Sequence, residues 1–186
     1  MSILEDGKGS GKKAKVSDDN RLNTSARSNG RMYYISRDNE KAFAINLEID
    51  QIAGGSTENL GYIKNTGSGH IHIHSITFST EEPATGLTEF GIWVGQTVSE
   101  CNAKTPTNLN LSSAITSEAT CCEGPGLTFS GGSSLGTVRF SGANSFERNY
   151  DDAIILSYNS VITIKASAAT AGTKVIATIL FWEHDE

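Results

Sequence analysis

From residue 32 onward the chain alternates between short runs of apolar, β-branched and aromatic residues and short polar turns. Runs of this length, with apolar and polar residues at alternate positions, are typical of half-buried β-strands. The pattern predicts strands at residues 32–36, 41–49, 60–66, 70–79, 90–96, 126–130, 136–141, 153–158, 161–167 and 174–183. The turns between them are rich in glycine, serine and asparagine and leave little room for helices. We therefore expect an all-β fold over residues 32–186, either a sandwich or a barrel.

The last predicted strand differs from the others because both of its faces are apolar. In KVIATILFW the two sets of alternating residues are Val175, Ala177, Ile179 and Phe181, and Ile176, Thr178, Leu180 and Trp182. A strand with two apolar faces is buried on both sides. This strand is therefore expected in the centre of a sheet or at a contact between subunits.

The first 31 residues form a separate segment without apolar periodicity. The stretches GKGSGKKAK and SDDNRLNTSARSNG are glycine-rich or polar, which is typical of an extended arm. The segment carries a formal charge of +3, whereas residues 32–186 carry −9. Such an arm either binds an acidic surface or remains a solvated tail. Its candidate attachment residues are Lys8, Lys12, Lys13, Lys15, Val16, Arg21, Leu22, Arg27 and Arg31.

Length and hydropathy narrow the class of protein. A chain of 186 residues fits one domain with an arm. No apolar run approaches the ~20 residues that span a bilayer, and the beginning MSILEDGKGSGKK lacks the apolar stretch of a signal peptide. The acidic body has no basic stripe, so specific nucleic-acid binding is not expected. We expect a chain that is made in a cytoplasm and has no membrane partner.

The run GHIHIHSITF places His70, His72 and His74 at alternate positions of one predicted strand. Alternate side chains share a face, so the three imidazoles either form a ladder that faces solvent or a neighbouring subunit, or hold a metal ion. A metal would need further ligands, which a trimer can supply by placing these histidines around a three-fold axis. Strict alternation would also move Ile76 and Phe78 to the histidine face, unless a bulge near His74 restores them to the face of the preceding isoleucines. We expect the ladder and no metal.

The three cysteines give no disulfide framework. Cys121 and Cys122 are adjacent, and with Cys101 they match no zinc-binding spacing. Two states remain open: three loop thiols, or a bond between Cys101 and one member of the pair.

Motifs that mark enzymes are missing from the sequence. There is no GxSxG elbow, no phosphate-binding loop and no glycine fingerprint that opens a helix. The acidic pairs Glu81–Glu82 and Asp151–Asp152 are typical of solvated turns. Six aromatic residues offer either core packing or a surface for stacking sugars: Tyr33, Tyr34, Trp93, Tyr150, Tyr158 and Trp182.

Four segments together resemble small structural proteins of tailed-bacteriophage particles. These are GSGKKAKVSDDNRLNTSAR, LGYIKNTGSGHIHIHSITFS, TPTNLNLSSAITSEAT and AIILSYNSVITIKASAATAGTKVIATILFWEHDE. The resemblance runs over most of the chain. It implies a jelly-roll-like antiparallel β-sandwich at residues 32–186, an extended basic arm at residues 1–31, and attachment to a virion as an oligomer.

On this basis we expect a non-enzymatic structural protein of the virion that is assembled in the host cytoplasm. The specific expectation is a capsid decoration or cement protein, a trimer without cofactors that binds the major capsid protein or other virion proteins and stabilises the outer lattice. The alternative is a receptor- or carbohydrate-binding β-sandwich module of a phage fibre or tail.

Overall fold

The computed structural model of the chain describes residues 3–5, 13–15, 35–36, 41–81, 84–99, 102–124 and 126–184. The chain divides into two compact units, Met1–Gly30 and Arg31–Glu186. In the first unit, strand β1 (Ile3–Glu5) pairs antiparallel with β2 (Lys13–Lys15). The polar sequence of this segment gave no indication of that pairing.

The second unit is built almost entirely from antiparallel strands. Its strands are β3 (Ala42–Ile49), β4 (Thr57–Asn65), β5 (His70–Glu81), β6 (Leu87–Val94), β7 (Thr97–Val98), β8 (Asn102–Ala103), β9 (Thr107–Asn108), β10 (Ala119–Glu123), β11 (Phe129–Ser130), β12 (Ser133–Ser141), β13 (Ser145–Leu156), β14 (Val161–Ala168) and β15 (Lys174–His184). Most of them form two large sheets, which we call sheet one (order β13-β5-β15-β3-β9) and sheet two (order β12-β6-β14-β4-β10-β8). Strands β7 and β11 pair with each other in a separate two-stranded sheet.

The distribution of the eight longest strands between the two sheets is that of a jelly roll. In chain order, these eight strands are β3, β4, β5, β6, β12, β13, β14 and β15. Numbered one to eight, they lie side by side in the order 1-8-3-6 in sheet one and 2-7-4-5 in sheet two. Two interlocked Greek keys produce this order. The expectation of an all-β, jelly-roll-like sandwich is therefore confirmed.

The core lies between the two sheets. Phe78 of β5 meets Phe90 of β6 with ring centroids 5.0 Å apart, which joins one layer to the other. Within sheet one, Phe43 of β3 stacks on Phe181 of β15 at 5.6 Å. All four side chains are fully buried, and each contributes about 1.5–3 kcal/mol through the removal of apolar surface from water.

Strand β15 lies between β5 and β3 in sheet one, as its two apolar faces predicted. The predicted bulge in β5 is also present. Ile73 pairs with Phe181 and Ser75 with Leu180, so His74 is the extra residue. As a result Ile71, Ile73, Ile76 and Phe78 all face the core.

The strand prediction was wrong in several places, which include residues 35–36, strand β10 and the first half of β13. Ile35 and Ser36 lie in a helical turn and not in a strand; the Ile35 side chain is buried with Ala42 and Trp182, a contact that needs no extended backbone. Strand β10 was missed because ATCCE shows no clear alternation. It gains its order by pairing with β4, from Ala119 opposite Asn65 to Glu123 opposite Gly61.

Candidate functional site

All four histidines of the chain lie at one end of the outer face of sheet one. His70, His72 and His74 project from β5, while Ile71 and Ile73 project into the core between them. His184 of β15 pairs directly with His70. The three histidines therefore share one face of the strand, and a fourth histidine joins them.

The centre of this histidine face is packed. The ring of His72 stacks on the indole of Trp182, with centroids 3.9 Å apart and ring planes within 4°. His184 meets both rings edge-on, at 6.4 Å from His72 and 5.9 Å from Trp182. Trp182 is only 4% exposed. These side chains therefore form a second, smaller layer on the outside of the sandwich.

Asp152 holds this layer to the edge strand β13. It lies in an interruption of the β13–β5 ladder between Asn149 and Ile154, where Asp151 and Asp152 have positive φ angles of 46° and 65°. This backbone turns the carboxylate of Asp152 over the sheet. There its Oδ1 accepts a hydrogen bond of 2.9 Å from Trp182 Nε1 and lies 3.3 Å from His74 Nδ1.

Within the described residues, no group of three or more histidine, cysteine, aspartate or glutamate side chains is arranged to hold a metal ion. The alternative of a metal on a three-fold axis requires further copies of the chain and stays an untested alternative.

The arm residues proposed for attachment fall largely outside the described part of the chain. Lys13 and Lys15 belong to β2. The remaining candidates lie outside the described residues; they are Lys8, Lys12, Val16, Arg21, Leu22, Arg27 and Arg31. Their role in attachment stays a prediction. Across the described ranges, no helix has the length and apolar character needed to cross a membrane.

A loop of residues 109–118, which we call the exposed loop, leaves the edge of sheet one after β9. Side-chain hydrogen bonds fix its shape. Asn108 Oδ1 accepts from Asn110 N at 2.8 Å, and Asn108 Nδ2 donates to the carbonyl of Ile115 at 3.0 Å. Asn110 Oδ1 in turn accepts from the backbone and hydroxyl of Ser112. Asparagine and serine side chains that bond to nearby backbone stabilise such turns.

This framework presents apolar side chains to solvent. Leu111, at the tip of the exposed loop, is 86% exposed, and Leu109 and Ile115 are 38% and 39% exposed. The sequence pattern did not predict an ordered, exposed loop at these residues. The spacing of Asn108, Asn110 and Ser112 was the signal that could have identified an ordered loop.

The far end of the exposed loop is anchored by Glu183 of β15. Its Oε1 accepts hydrogen bonds from Ser117 Oγ at 2.5 Å and from Glu118 N at 3.0 Å. Burial raises the pKa of Glu183 above its ordinary value; the hydrogen bond from Ser117 opposes this and the nearby Glu118 carboxylate adds to it. The loop is thus held by a carboxylate that is poorly solvated.

The adjacent cysteines point to opposite faces of sheet two. Cys121 is a free thiol in the core, and burial, with a smaller contribution from Glu183, raises its pKa to about 12. Cys122 lies on the outer face beside Tyr62 and Val161 and is disulfide-bonded. Cys101 lies outside the described residues.

The aromatic residues considered for sugar stacking do not share one surface. Trp182 is buried on sheet one, Trp93 is half-buried on the outer face of sheet two, and Tyr158 is 64% exposed in the turn before β14. Tyr150 packs against the edge of the core. Tyr33 and Tyr34 lie outside the described residues.

No protein-family model matches the chain, and no curated protein matches it. The solved structures to which the chain is similar include two of infectious bursal disease virus. The virus-derived T=1 particle is 17% identical over 77% of this chain and 40% of its own, with a TM-score of 0.20. The VP2 subviral particle is 13% identical over 77% of this chain and 41% of its own, with a TM-score of 0.21. The chain thus spans about two fifths of their length, and TM-scores of this size carry no argument about function.

Proposed function

We propose that the chain is a non-enzymatic structural protein of a tailed-bacteriophage particle, a decoration or cement protein that binds the outer capsid lattice and stabilises it. The observation that carries this proposal is the exposed loop, which presents Leu109, Leu111 and Ile115 on a framework of side-chain hydrogen bonds. The same segment is one of those that carry the resemblance to phage particle proteins.

The exposed loop is suited to binding because its shape is already set. An apolar side chain that leaves water on binding contributes about 1.5–3 kcal/mol when it is fully buried. A loop that is ordered beforehand loses little conformational entropy in the complex. Both ends of this loop are fixed, the first by Leu109 N donating to the carbonyl of Ala42 at 2.8 Å and the second by Glu183.

Many copies of the protein on a capsid lattice would each make such a loop contact. A jelly-roll trimer would present three copies of the loop to a capsid that offers equivalent positions around it, so that modest single contacts become cumulative. The basic arm of residues 1–31 would add attraction to an acidic capsid surface. Jelly-roll sandwiches are common in viral capsid proteins, as they are in lectins and cupins.

The test is co-sedimentation of the purified protein with particles of the encoding phage that were assembled without it. We expect the wild-type chain to bind and to raise the temperature at which the particles release their genome. Deletion of residues 1–31 and the substitution Leu111→Ser should each weaken binding by about tenfold or more, since ~1.4 kcal/mol corresponds to tenfold.

The matched control is Leu87→Ser. Leu87 is 53% exposed but begins β6, opposite Ser141 of the edge strand in sheet two, so its loss should leave binding unchanged. Failure of the wild-type chain to bind, or equal binding by the Leu111 and Leu87 variants, would refute the proposed role of the loop. Sedimentation velocity of the free protein tests whether it forms a trimer.

A further inference from the structure

The outer face of sheet two is covered at one end and open at the other. Over the covered end, Val98, Leu127 and Phe129 pack on Tyr62 and Val161. Beyond this cover lies a depression of about 280 Å³ between β12, β6, β14 and β4. We call it the Trp93 shelf, and its lining includes Glu89, Gly91, Trp93, Thr137, Lys165 and Ser167.

Gly91 forms the floor of the Trp93 shelf and lets the indole lie over the sheet. A β-carbon at this position would stand 3.2 Å from Trp93 Nε1 and 3.7 Å from its Cδ1. Any side chain would therefore press against the edge of the indole. The glycine thus makes room for the indole, and a depression beside an aromatic ring is a common feature of ligand sites.

The charges around the Trp93 shelf favour an anion. Lys165 Nζ lies 4.8 Å from the centroid of the Trp93 ring, and among the described residues it makes no ion pair. Glu89 is paired with Arg139 Nε at 2.5 Å, and the Arg139 side chain remains 60% exposed. These three charges sum to +1 on a chain whose net charge is −6. The shelf is therefore a locally positive site on an acidic protein.

We propose that the Trp93 shelf binds a saccharide that bears a carboxylate. The sugar ring lies in the depression beside the indole, where its C–H groups contact the aromatic surface. Its carboxylate receives the Lys165 ammonium, because an exposed cation–π contact is weaker than a charge-assisted hydrogen bond. Its hydroxyl groups face the Glu89–Arg139 pair and the hydroxyl of Ser167, which supply donors and acceptors in fixed positions.

The experiment uses the full-length protein and two probes that differ by one acidic sugar, 3′-sialyllactose and lactose. Binding is measured by saturation-transfer NMR and by the change in intrinsic tryptophan fluorescence. We expect 3′-sialyllactose to bind and lactose to bind about tenfold more weakly. The fluorescence change should disappear in Trp93→Phe, because Trp182 is buried in sheet one.

Substitutions in the Trp93 shelf test the role of each contact. Lys165→Gln should weaken the binding of 3′-sialyllactose to the level of lactose. Gly91→Ala should weaken the binding of both sugars, because its methyl group would displace the indole. Tyr158→Ala, which removes an exposed aromatic residue elsewhere, should bind like the wild type. Thermal unfolding of each variant confirms that it is folded.

Three results would overturn the inference. The first is that neither sugar binds. The second is that Lys165→Gln binds 3′-sialyllactose with unchanged affinity. The third is that heparin binds instead of 3′-sialyllactose, and binds the wild type and Trp93→Ala equally well. The last result would show adhesion by charge alone. None of these measurements needs a phage particle, so their outcome is independent of the decoration role.

Discussion

The imidazole of His72 lies flat against the indole of Trp182, 3.9 Å from centroid to centroid, on the outside of a sandwich whose core lies on the other side of the same sheet. The contact joins β5 to β15 across a directly paired position. Trp182 also donates to the buried carboxylate of Asp152. A polar and aromatic layer therefore fixes the edge strand β13 to the centre of sheet one.

We predict that Asp152→Ala lowers the free energy of unfolding by about 1–3 kcal/mol, because the indole N–H of Trp182 loses its acceptor in a buried position. Asp152→Asn should cost less, since asparagine keeps a carbonyl acceptor and tolerates the positive φ of 65°. Urea denaturation measures both. The exposed neighbour provides the control: Asp151→Asn should leave stability unchanged, and equal losses in the two asparagine variants would contradict the assignment.

The stability of the protein should fall as pH rises through the titration of Glu183. Burial raises the pKa of this carboxyl in the folded chain above the ordinary value near 4.5. Between the two values the unfolded chain is ionised while the folded chain still holds the proton, so the free energy of unfolding decreases with pH, by up to about 1.4 kcal/mol per unit. Above the folded value this contribution is constant.

Glu183→Gln should remove this slope while keeping an oxygen that accepts from Ser117 and Glu118. Unfolding in urea at a series of pH values from 4 to 8 measures the effect. Glu147→Gln, at an exposed position of β13, should retain the wild-type slope. A wild-type slope in the Glu183 variant would show that other groups cause the pH dependence.

Cys121 should resist alkylation in the native protein. Its thiol is 2% exposed and has a pKa raised to about 12, so at pH 8 only about one thiol in ten thousand is ionised, and the thiolate is the reactive form. We expect no label from iodoacetamide at pH 8 without denaturant, and labelling at Cys121 in denaturant. Without reductant Cys122 should stay unlabelled, because it is disulfide-bonded; labelling of all three cysteines under these conditions would exclude the bond.

Two leucines should separate stability from binding. Leu111 is 86% exposed in the exposed loop, whereas Leu47 of β3 is fully buried. Leu111→Ala should change the free energy of unfolding by less than about 0.5 kcal/mol, and Leu47→Ala should cost about 2–5 kcal/mol. Thermal and urea unfolding measure both; a large loss in Leu111→Ala would mean that the loop tip stabilises the fold and is not reserved for a partner.

Most long strands could be predicted from the sequence. A strand with one buried face alternates apolar and polar residues, and this alternation is visible in the local sequence. The sequence also indicated the central position of β15, from two apolar faces, and the bulge at His74, from the shift in register between Ile73 and Ile76. It did not indicate β10 or the first half of β13. Their residues are ordered by pairing with β4 and β5, which lie far away in the chain.

The sequence by itself therefore determined the class of fold, the alternation of faces and the segregation of charge, since each of these depends on the order of residue types along the chain. The tertiary structure alone decided which side chains meet: His184 beside His70, Asp152 hydrogen-bonded to Trp182, and Lys165 over Trp93. These pairs are separated by tens of residues or belong to different strands. Their contact depends on strand order and register, which loop closure and core packing fix only when the whole sandwich forms.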